Sequence, residues 1–308
     1  MVIALVNRIL WIASIMIAVS ILVFVIVHLS GDPTDGFVEP GATPETRAAI
    51  RSKYDLDRPL VVQYGRFVER AVLGDFGESW RARNPALRLV LDRLPATLSL
   101  AGAALLLAVA LGVPMGIWAA RARWAPLRVA ASALINVGQA MPSFWLGATL
   151  VLFCAVRWHW LPSSGRSGFD SLILPAVSLA LQPAATMARL VQTQLTDVMR
   201  SDFVRTARGK GLGESAVVWR HALPASFGPV LAWLGVQTGF LIGGAVIVEG
   251  VFAWPGVGLL ALNAVQDRDL PVLQAFVIVS ALAICLITMT VDLLARWADP
   301  RIAEAVGQ

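Results

Sequence analysis

Residues 199–224 read MRSDFVRTARGKGLGESAVVWRHALP, and this polar, basic segment lies between two long apolar runs. Its first half predicts a short helix, because Met199, Phe203 and Ala207 recur at i, i+4 and i+8 on one helix face. Closely spaced glycines at positions 209, 211 and 213 then favour a turn. A second short helix is predicted over 212–223, where apolar residues recur at helical spacing, and Pro224 opens the next apolar run.

Such a segment has two interpretations. Two short helices can simply connect neighbouring membrane spans, or they can form a compact projection that a groove on a partner protein holds. The spacing alone leaves both open.

The composition is that of a polytopic membrane protein. The chain has 308 residues, of which 57% are hydrophobic and 15% charged, and the apolar residues come in blocks rather than spread by period. The net charge of +5 sits in loops between those blocks, so membrane topology explains it and no nucleic-acid partner is expected. We predict an all-α fold in the lipid bilayer, a single transmembrane domain over 1–308, with six spans at about 9–29, 97–120, 130–156, 172–192, 225–248 and 271–294.

Positive charge predicts the orientation of these spans. The loop at 193–222 holds five basic residues against three acidic ones, and Arg121, Arg123 and Arg128 form a second loop without acids. These loops and both termini are therefore predicted to be cytoplasmic. The loops at 157–170 and 249–270 and the long polar insertion at 30–95 then lie on the other side, and the insertion is expected to form short helices over Pro44–Tyr54 and Pro59–Leu73. The first run is interpreted as a retained span, because no small-residue cleavage site follows it.

Motifs for chemistry within this chain are absent from the sequence. No phosphate-binding loop occurs, the histidines at 28, 159 and 221 form no metal pair, and no nucleophile–base set is present. The spans hold almost no acidic residues, and Arg189 lies toward the inner end of its span. Carriers driven by protons or sodium need a titratable group at mid-membrane, so the energy source is expected to be external. We therefore predict no enzyme, metal site or cofactor in this chain.

Uncharged polar residues do occur within the third to fifth spans. Such side chains are costly in hydrocarbon unless they face protein or water, so they either bond neighbouring helices or line a solute path. The candidates for a path are Asn136, Gln139, Ser143, Gln182 and Gln237.

Several segments carry a family resemblance. Arg205-Thr206-Ala207, Gly211 and His221-Ala222-Leu223-Pro224 resemble, in residues and spacing, the EAA loop of bacterial ABC-importer permeases. The general loop has Glu, Ala and Ile where this chain has Arg205, Thr206 and His221, and those departures resemble the dipeptide, oligopeptide and nickel branch. Further segments similar to that family lie at 74–79, 93–97, 142–147, 160–165 and 249–258.

The resemblance implies a permease-like fold of the type I ABC importers in a bacterial cytoplasmic (inner) membrane. It implies four kinds of partner or ligand: a second homologous permease, two ATP-binding subunits that hold ATP and magnesium, an extracytoplasmic solute-binding protein, and a cargo of dipeptides or oligopeptides. Nickel or glutathione as cargo, and an uncoupled channel or scaffold, are the alternatives. The coupling loop is predicted at 193–224, on the cytoplasmic side. Its residues expected to couple to the ATP-binding subunits are Phe203, Arg205, Thr206, Ala207, Lys210, Gly211, Leu212, His221, Leu223 and Pro224.

Overall fold

The structure, a computed structural model, describes residues 2–29, 43–45, 57–122 and 124–298. Within these ranges the regular structure is helical apart from one isolated bridge between Glu78 and Pro85, which confirms the all-α prediction. The helices are α1 Val2–Leu29, α2 Leu60–Val72, α3 Ala86–Arg121, α4 Ala125–Ala140, α5 Ser143–Leu150, α6 Asp170–Val198, α7 Asp202–Gly209, α8 Glu214–Ala216, α9 Leu223–Val251, α10 Val257–Gln266 and α11 Leu270–Ala298. Two π-helical segments continue α5 and α8, at Val151–Arg157 and Val217–Ala222.

Five described helices are long and apolar enough to cross a membrane, and the count becomes six if one bent pair is a single span. That pair is α4 with α5 and its π-helical continuation, and the two parts meet at 94°. The span predicted at 130–156 falls on this pair, which is two helical parts joined at a bend rather than one straight helix. The bend falls at Met141-Pro142, because the residue before a proline is pushed out of the helical region: Met141 has an extended backbone, with φ −80° and ψ 118°.

Two further boundaries differ from the sequence-based prediction. Helix α3 begins at Ala86, eleven residues before the predicted span, so the polar residues at 86–96 are helical. The loop predicted at 249–270 contains the ten-residue helix α10, which is too short to span a membrane. The helix predicted over Pro59–Leu73 is confirmed as α2, whereas the one predicted over Pro44–Tyr54 lies largely outside the described residues.

The chain divides into two compact units, the first made of residues 1–97 and 255–286. In this unit α2 lies against α1: the Tyr64 hydroxyl is 2.9 Å from Ser20 Oγ, and the Tyr64 ring meets Phe24 edge-on at 5.4 Å. A second apolar cluster joins Phe76, the start of α3, helix α10 and the start of α11. The Thr97 hydroxyl accepts a hydrogen bond of 2.9 Å from the backbone N–H of Val257 and so caps α10.

A buried carboxylate ties the segment before α3 to the turn before α11. Asp269 is 4% exposed, and its Oδ2 accepts a 2.5 Å hydrogen bond from Ser79 Oγ. Its other oxygen, Oδ1, is buried and has no donor among the described residues. Nearby, Arg81 and Asp267 form an ion pair of 3.0 Å on the surface.

The second unit, residues 98–254 and 287–308, is built around α6. Gly112 and Gly116 of α3 form a G-x-x-x-G pair that lets the backbones of α3 and α6 approach closely. A Cβ added at Gly112 would lie 2.6 Å from the carbonyl oxygen of Ala184, and one at Gly116 would lie 2.6 Å from that of Ala188. The contact atoms are backbone, so they cannot rotate away.

We predict that Gly112→Ala and Gly116→Ala each lower the stability of the folded protein by about 1–3 kcal/mol, because the added methyl must push two helices apart. The measurement is the midpoint of heat-induced loss of the monodisperse species of the detergent-solubilised protein. Gly102→Ala is the matched control: it lies in the same helix, and its added Cβ meets nothing within 4 Å. Equal midpoints for all three variants would show that the α3–α6 approach is not as close as described.

We also predict that Ser79→Ala accelerates amide hydrogen exchange in the segment before α3 more than Arg81→Gln does. The first change leaves a buried carboxylate without its donor, at a cost of about 1–3 kcal/mol. The second removes a surface ion pair worth about 1 kcal/mol or less, since the Arg81 side chain is 75% exposed. Amide hydrogen exchange over residues 77–86 should accelerate about tenfold in the first variant and less than about fivefold in the second. Similar rates in both would contradict a structural role for the buried pair.

Candidate functional site

The candidate coupling segment, residues 199–224, begins with α7. The helix ends with two hydrogen bonds, from the Leu212 N–H to the Ala207 carbonyl at 3.4 Å and from the Gly211 N–H to the Arg208 carbonyl at 2.9 Å. This pair of bonds is a Schellman motif, which places a left-handed residue just past the helix, and Gly211 has φ +82°. Of the three glycines, only Gly211 has a backbone that other residues rarely adopt: Gly209 is the last residue of α7, and Gly213 precedes α8 with φ −66°.

The sequence predicted a separate second helix in the segment, but the structure shows a continuous one. Residues from Glu214 to Val251 are helical without interruption, through α8, the π-helical Val217–Ala222 and α9. Pro224 therefore lies inside a continuous helix rather than restarting the chain. A proline ring clashes with the carbonyl four residues earlier in an α-helix, and the wider π-helical turns immediately before Pro224 provide room for it.

One face of the coupling segment is anchored in the helices of its own unit. Val204 of α7 and Val217 of the π-helical turns are both 0% exposed. With Ala207 and Ala222 of the same segment, they join a single apolar cluster with residues of α3, α6 and α9, namely Ile117, Met187, Val191, Leu195, Leu223 and Val230. The segment is thus fixed to three long helices by buried contacts.

Three large apolar side chains of the segment are exposed. Phe203, Leu212 and Trp219 are 48%, 39% and 55% exposed. The turn between α7 and α8 is held by Arg208, whose Nε and Nη2 donate to the two carboxylate oxygens of Glu214 at 2.8 and 3.3 Å. Charged residues are exposed in the same segment, among them Lys210 and the ion pair of Arg205 with Asp202 at 3.9 Å.

The ten residues predicted to couple fall into two groups in the structure. Ala207 and Leu223 are buried in this chain's own core and cannot contact another protein directly. The exposed residues are Phe203, Arg205, Thr206, Lys210, Gly211, Leu212, His221 and Pro224. Burial separates the residues that anchor the segment from those that are available to a partner.

The candidate path residues lie on α6 and on helices that contact it. Asn136 of α4 is exposed, and its Oδ1 accepts a hydrogen bond from Nη2 of Arg189 on α6. Gln182 is exposed on α6. Gln139 and Ser143 are half-buried on either side of the bend between α4 and α5, and Gln237 is half-buried on α9. Helices α4, α5 and α9 each pack against α6.

Sequence reasoning did not include Arg189 among the path residues. Its Nε is buried and has no acceptor within the part of the chain that the structure describes. The sequence signal was present, since Arg189 is a basic residue inside an otherwise uncharged apolar run. Its partner Asn136, 53 residues away, could not be identified from the spacing.

Three of the segments noted for their family resemblance meet at the turn after α9. The ring of Phe252 lies against Gly147, where an added Cβ would be 3.0 Å away. The carbonyl of Phe252 accepts a 2.9 Å hydrogen bond from the Gly165 N–H. Arg166 lies over the Trp254 ring, 5.6 Å from its centroid, and Phe252 and Trp254 are each 1% exposed. These segments therefore have a shared structural role in burying two aromatic side chains.

Comparison with solved structures supports the fold. An inward-facing structure of the MetNI methionine ABC transporter superposes with a TM-score of 0.59 at 20% identity, covering 68% of this chain and 95% of the matched chain. An amino acid ABC transporter crystallised with histidines superposes with a TM-score of 0.51 at 18% identity, covering 70% and 94%. At such identities the similarity establishes the fold alone.

Sequence comparisons establish the family. The family "Binding-protein-dependent transport system inner membrane component" matches residues 112–304, and the corresponding N-terminal family matches residues 1–101. The glutathione transport system permease protein GsiC of Salmonella paratyphi A is 38% identical over 299 residues, covering 96% of this chain and 97% of that protein. The GsiC protein of Escherichia coli K12 is 38% identical with the same coverage. The chain belongs to the inner-membrane components of binding-protein-dependent transport systems, and it is a non-catalytic, multi-pass permease subunit of an ABC importer that works with ATPase subunits and a binding protein.

Proposed function

We propose that the cargo is glutathione or a small peptide of similar chemistry. The observation that carries this proposal is the 38% identity to glutathione permeases over nearly the whole of both chains. Because those relatives carry the name of one small, peptide-like solute, they favour the glutathione alternative over dipeptides and oligopeptides in general. Cargo choice also rests on the binding protein, so a general peptide remains the second candidate and nickel the third.

The coupling segment is proposed to receive force from the ATPase subunits. Its exposed large side chains, Phe203, Leu212 and Trp219, are apolar, as on a helix that a partner's groove holds. Other residues of the segment are buried against α3, α6 and α9. A displacement of the segment would therefore move these helices together, because closely packed interiors transmit displacement rather than absorb it. This role requires the segment, and with it both termini, to lie on the cytoplasmic side.

A second, similar permease subunit is proposed to complete the path. Asn136 and Gln182 are exposed in this chain although they lie on helices of the membrane region. Exposed polar side chains at that depth are favourable only against protein or water. A partner permease facing α4 and α6 would supply both protein contacts and a water-filled path. We therefore assign to the path side Asn136, Gln139, Ser143, Gln182 and Gln237.

We predict that Gly211→Val abolishes uptake while the protein still inserts in the membrane. Valine in the left-handed region costs about 1–2 kcal/mol or more, so the Schellman turn would open and the relation between α7 and α8 would change. Uptake of labelled cargo, binding-protein-stimulated ATP hydrolysis and the amount of permease in the membrane are to be measured together.

The matched control is Gly209→Val, which lies two residues earlier in a helical backbone with nothing within 4 Å of an added Cβ. It should retain more than half of the uptake. Normal uptake by the Gly211 variant would argue against the coupling role of this turn.

A further prediction concerns the cargo itself. In the complete reconstituted transporter with its binding protein, glutathione should stimulate ATP hydrolysis severalfold more than a dipeptide, and Ni²⁺ should not stimulate it. The measurement is the initial ATPase rate at saturating concentrations of each solute, with the binding protein omitted as the background. Stimulation by Ni²⁺ alone would refute a peptide-like cargo.

A further inference from the structure

We propose that Arg189 is a carboxylate-binding residue of the membrane path, held in position by Asn136. The inference rests on the proposed function in one respect, that the cargo is a peptide-like solute. It extends that function by naming the group that would be recognised inside the membrane.

Arg189 lies within the depth of the hydrocarbon. Helix α6 has 29 residues, and Arg189 precedes its last residue, Val198, by nine positions. At 1.5 Å per residue this places it about 14 Å from the end of a helix about 43 Å long. The hydrocarbon core is only about 30 Å thick, so Arg189 falls inside it when the helix is centred. A charged side chain at this depth is retained when it faces a solute path, water or a paired group.

The described residues offer Arg189 a neutral partner rather than an anionic one. Nη2 donates to the Asn136 side-chain oxygen, while Nε is buried and has no acceptor. A guanidinium has five N–H donors in a planar fork that matches the two oxygens of a carboxylate. A carbonyl oxygen fixes the plane of the fork without neutralising its charge. The arrangement therefore leaves a positive charge that no acidic residue of the described chain neutralises.

The guanidinium belongs to a polar stripe that runs along α6. Gln182, Thr186, Arg189 and Thr193 recur at i, i+4, i+7 and i+11, the spacing of one helix face. Gln182 and Thr193 at the ends of the stripe are exposed, whereas Met187, Ala188 and Val191 on the other side are buried. A polar stripe of this length is unfavourable against lipid, so this face borders the path.

The chemistry of the stripe fits one class of cargo. Glutathione and other small peptides carry free carboxylates, and a desolvated carboxylate would find in Arg189 both a counter-charge and paired donors. A free metal cation would be repelled by the same group. The remaining residues of the stripe are neutral donors and acceptors, which suit the amide groups of a peptide.

The test measures cargo transported per ATP hydrolysed by the complete transporter in proteoliposomes. The cargoes are glutathione and glutathione amidated at both carboxyl groups, each at concentrations that saturate the binding protein, whose affinity for each is measured separately. The variants are Arg189→Gln, Arg189→Lys and Asn136→Ala. The control is Arg128→Gln, the same chemical change at an exposed position of α4 outside the stripe.

Arg189→Gln should lower the transport of glutathione per ATP at least tenfold, whereas transport of the amidated form should change less than twofold. Arg189→Lys should retain at least a third of the glutathione transport because it keeps the charge. Asn136→Ala, which acts through Arg189, should lower the ratio of glutathione transport to amidated-glutathione transport severalfold. Arg128→Gln should leave this ratio unchanged.

An equal loss for both cargoes in Arg189→Gln would identify a structural role and overturn the inference, as would undiminished glutathione transport. If this variant does not assemble, the proposal is tested with wild type and Arg189→Lys. Equal transport of glutathione and its amide by wild type would then overturn the proposal. If wild type does not carry glutathione, the proposed cargo fails, and the same comparison is made with alanyl-alanine and its amide. A transporter that carries only Ni²⁺ would refute both proposals.

Discussion

Close packing around α6 is the constraint on which the rest of the second unit depends. Of its 29 residues, 14 are buried, and much of the contact is made by small side chains. Gly112 and Gly116 bring α3 to within contact of its backbone, Gly138 of α4 lies against Ala185, and Gly244 of α9 lies against Leu179. Without a hydrophobic driving force between helices in lipid, such close approach is a main source of their association. Helices α3, α4, α9 and α6 are therefore expected to move as one body.

This helix connects the two parts of the candidate site. Its buried residues Met187, Val191 and Leu195 recur at i, i+4 and i+8 and pack in the same cluster as the coupling segment. Arg189 lies between the first two in sequence but projects from a different side, toward Asn136. One helix thus carries a surface that the coupling segment packs against and would move, and a surface that the cargo would meet. No separate relay of side chains between the two is required, since a rigid rotation of α6 changes both at once.

The sequence predicted what local pattern determines. The helices at Asp202–Gly209 and Leu60–Val72 were predicted from apolar spacing. The turn at Gly211 was predicted from the closely spaced glycines at the end of the first of these helices. The 94° bend at Met141-Pro142 could not be predicted from the proline alone. Pro175, Pro183 and Pro229 lie inside continuous helices of the same chain. Whether a proline breaks a helix depends on how neighbouring helices and wider turns satisfy the freed backbone groups, which is tertiary information.

Non-local pairs were equally out of reach. Ser79 and Asp269 are 190 residues apart, and each alone is an ordinary polar residue of a loop. Among the coupling residues, the pattern placed Phe203 and Ala207 on one helix face, but the structure buries Ala207 and leaves Phe203 48% exposed. Ala207 and Leu223 therefore stood beside Phe203 and Leu212 as equivalent candidates until the structure placed the first two in the core. Periodicity defines a stripe on a helix, and only packing decides whether its own chain or another protein covers it.

A fixed positive charge in the path is consistent with an importer whose energy is supplied from outside the membrane. Guanidinium groups do not release their proton in proteins, so Arg189 cannot serve as a proton carrier. It can only lower the free energy of a bound anion, and a site that binds must also be made to release. In a proton-driven carrier the titration of a carboxylate does this. In this chain the described part of α6 between Asp170 and Asp197 holds no acidic residue. Release must then come from a change in geometry around the guanidinium, and the helix that bears it is also the helix packed against the coupling segment.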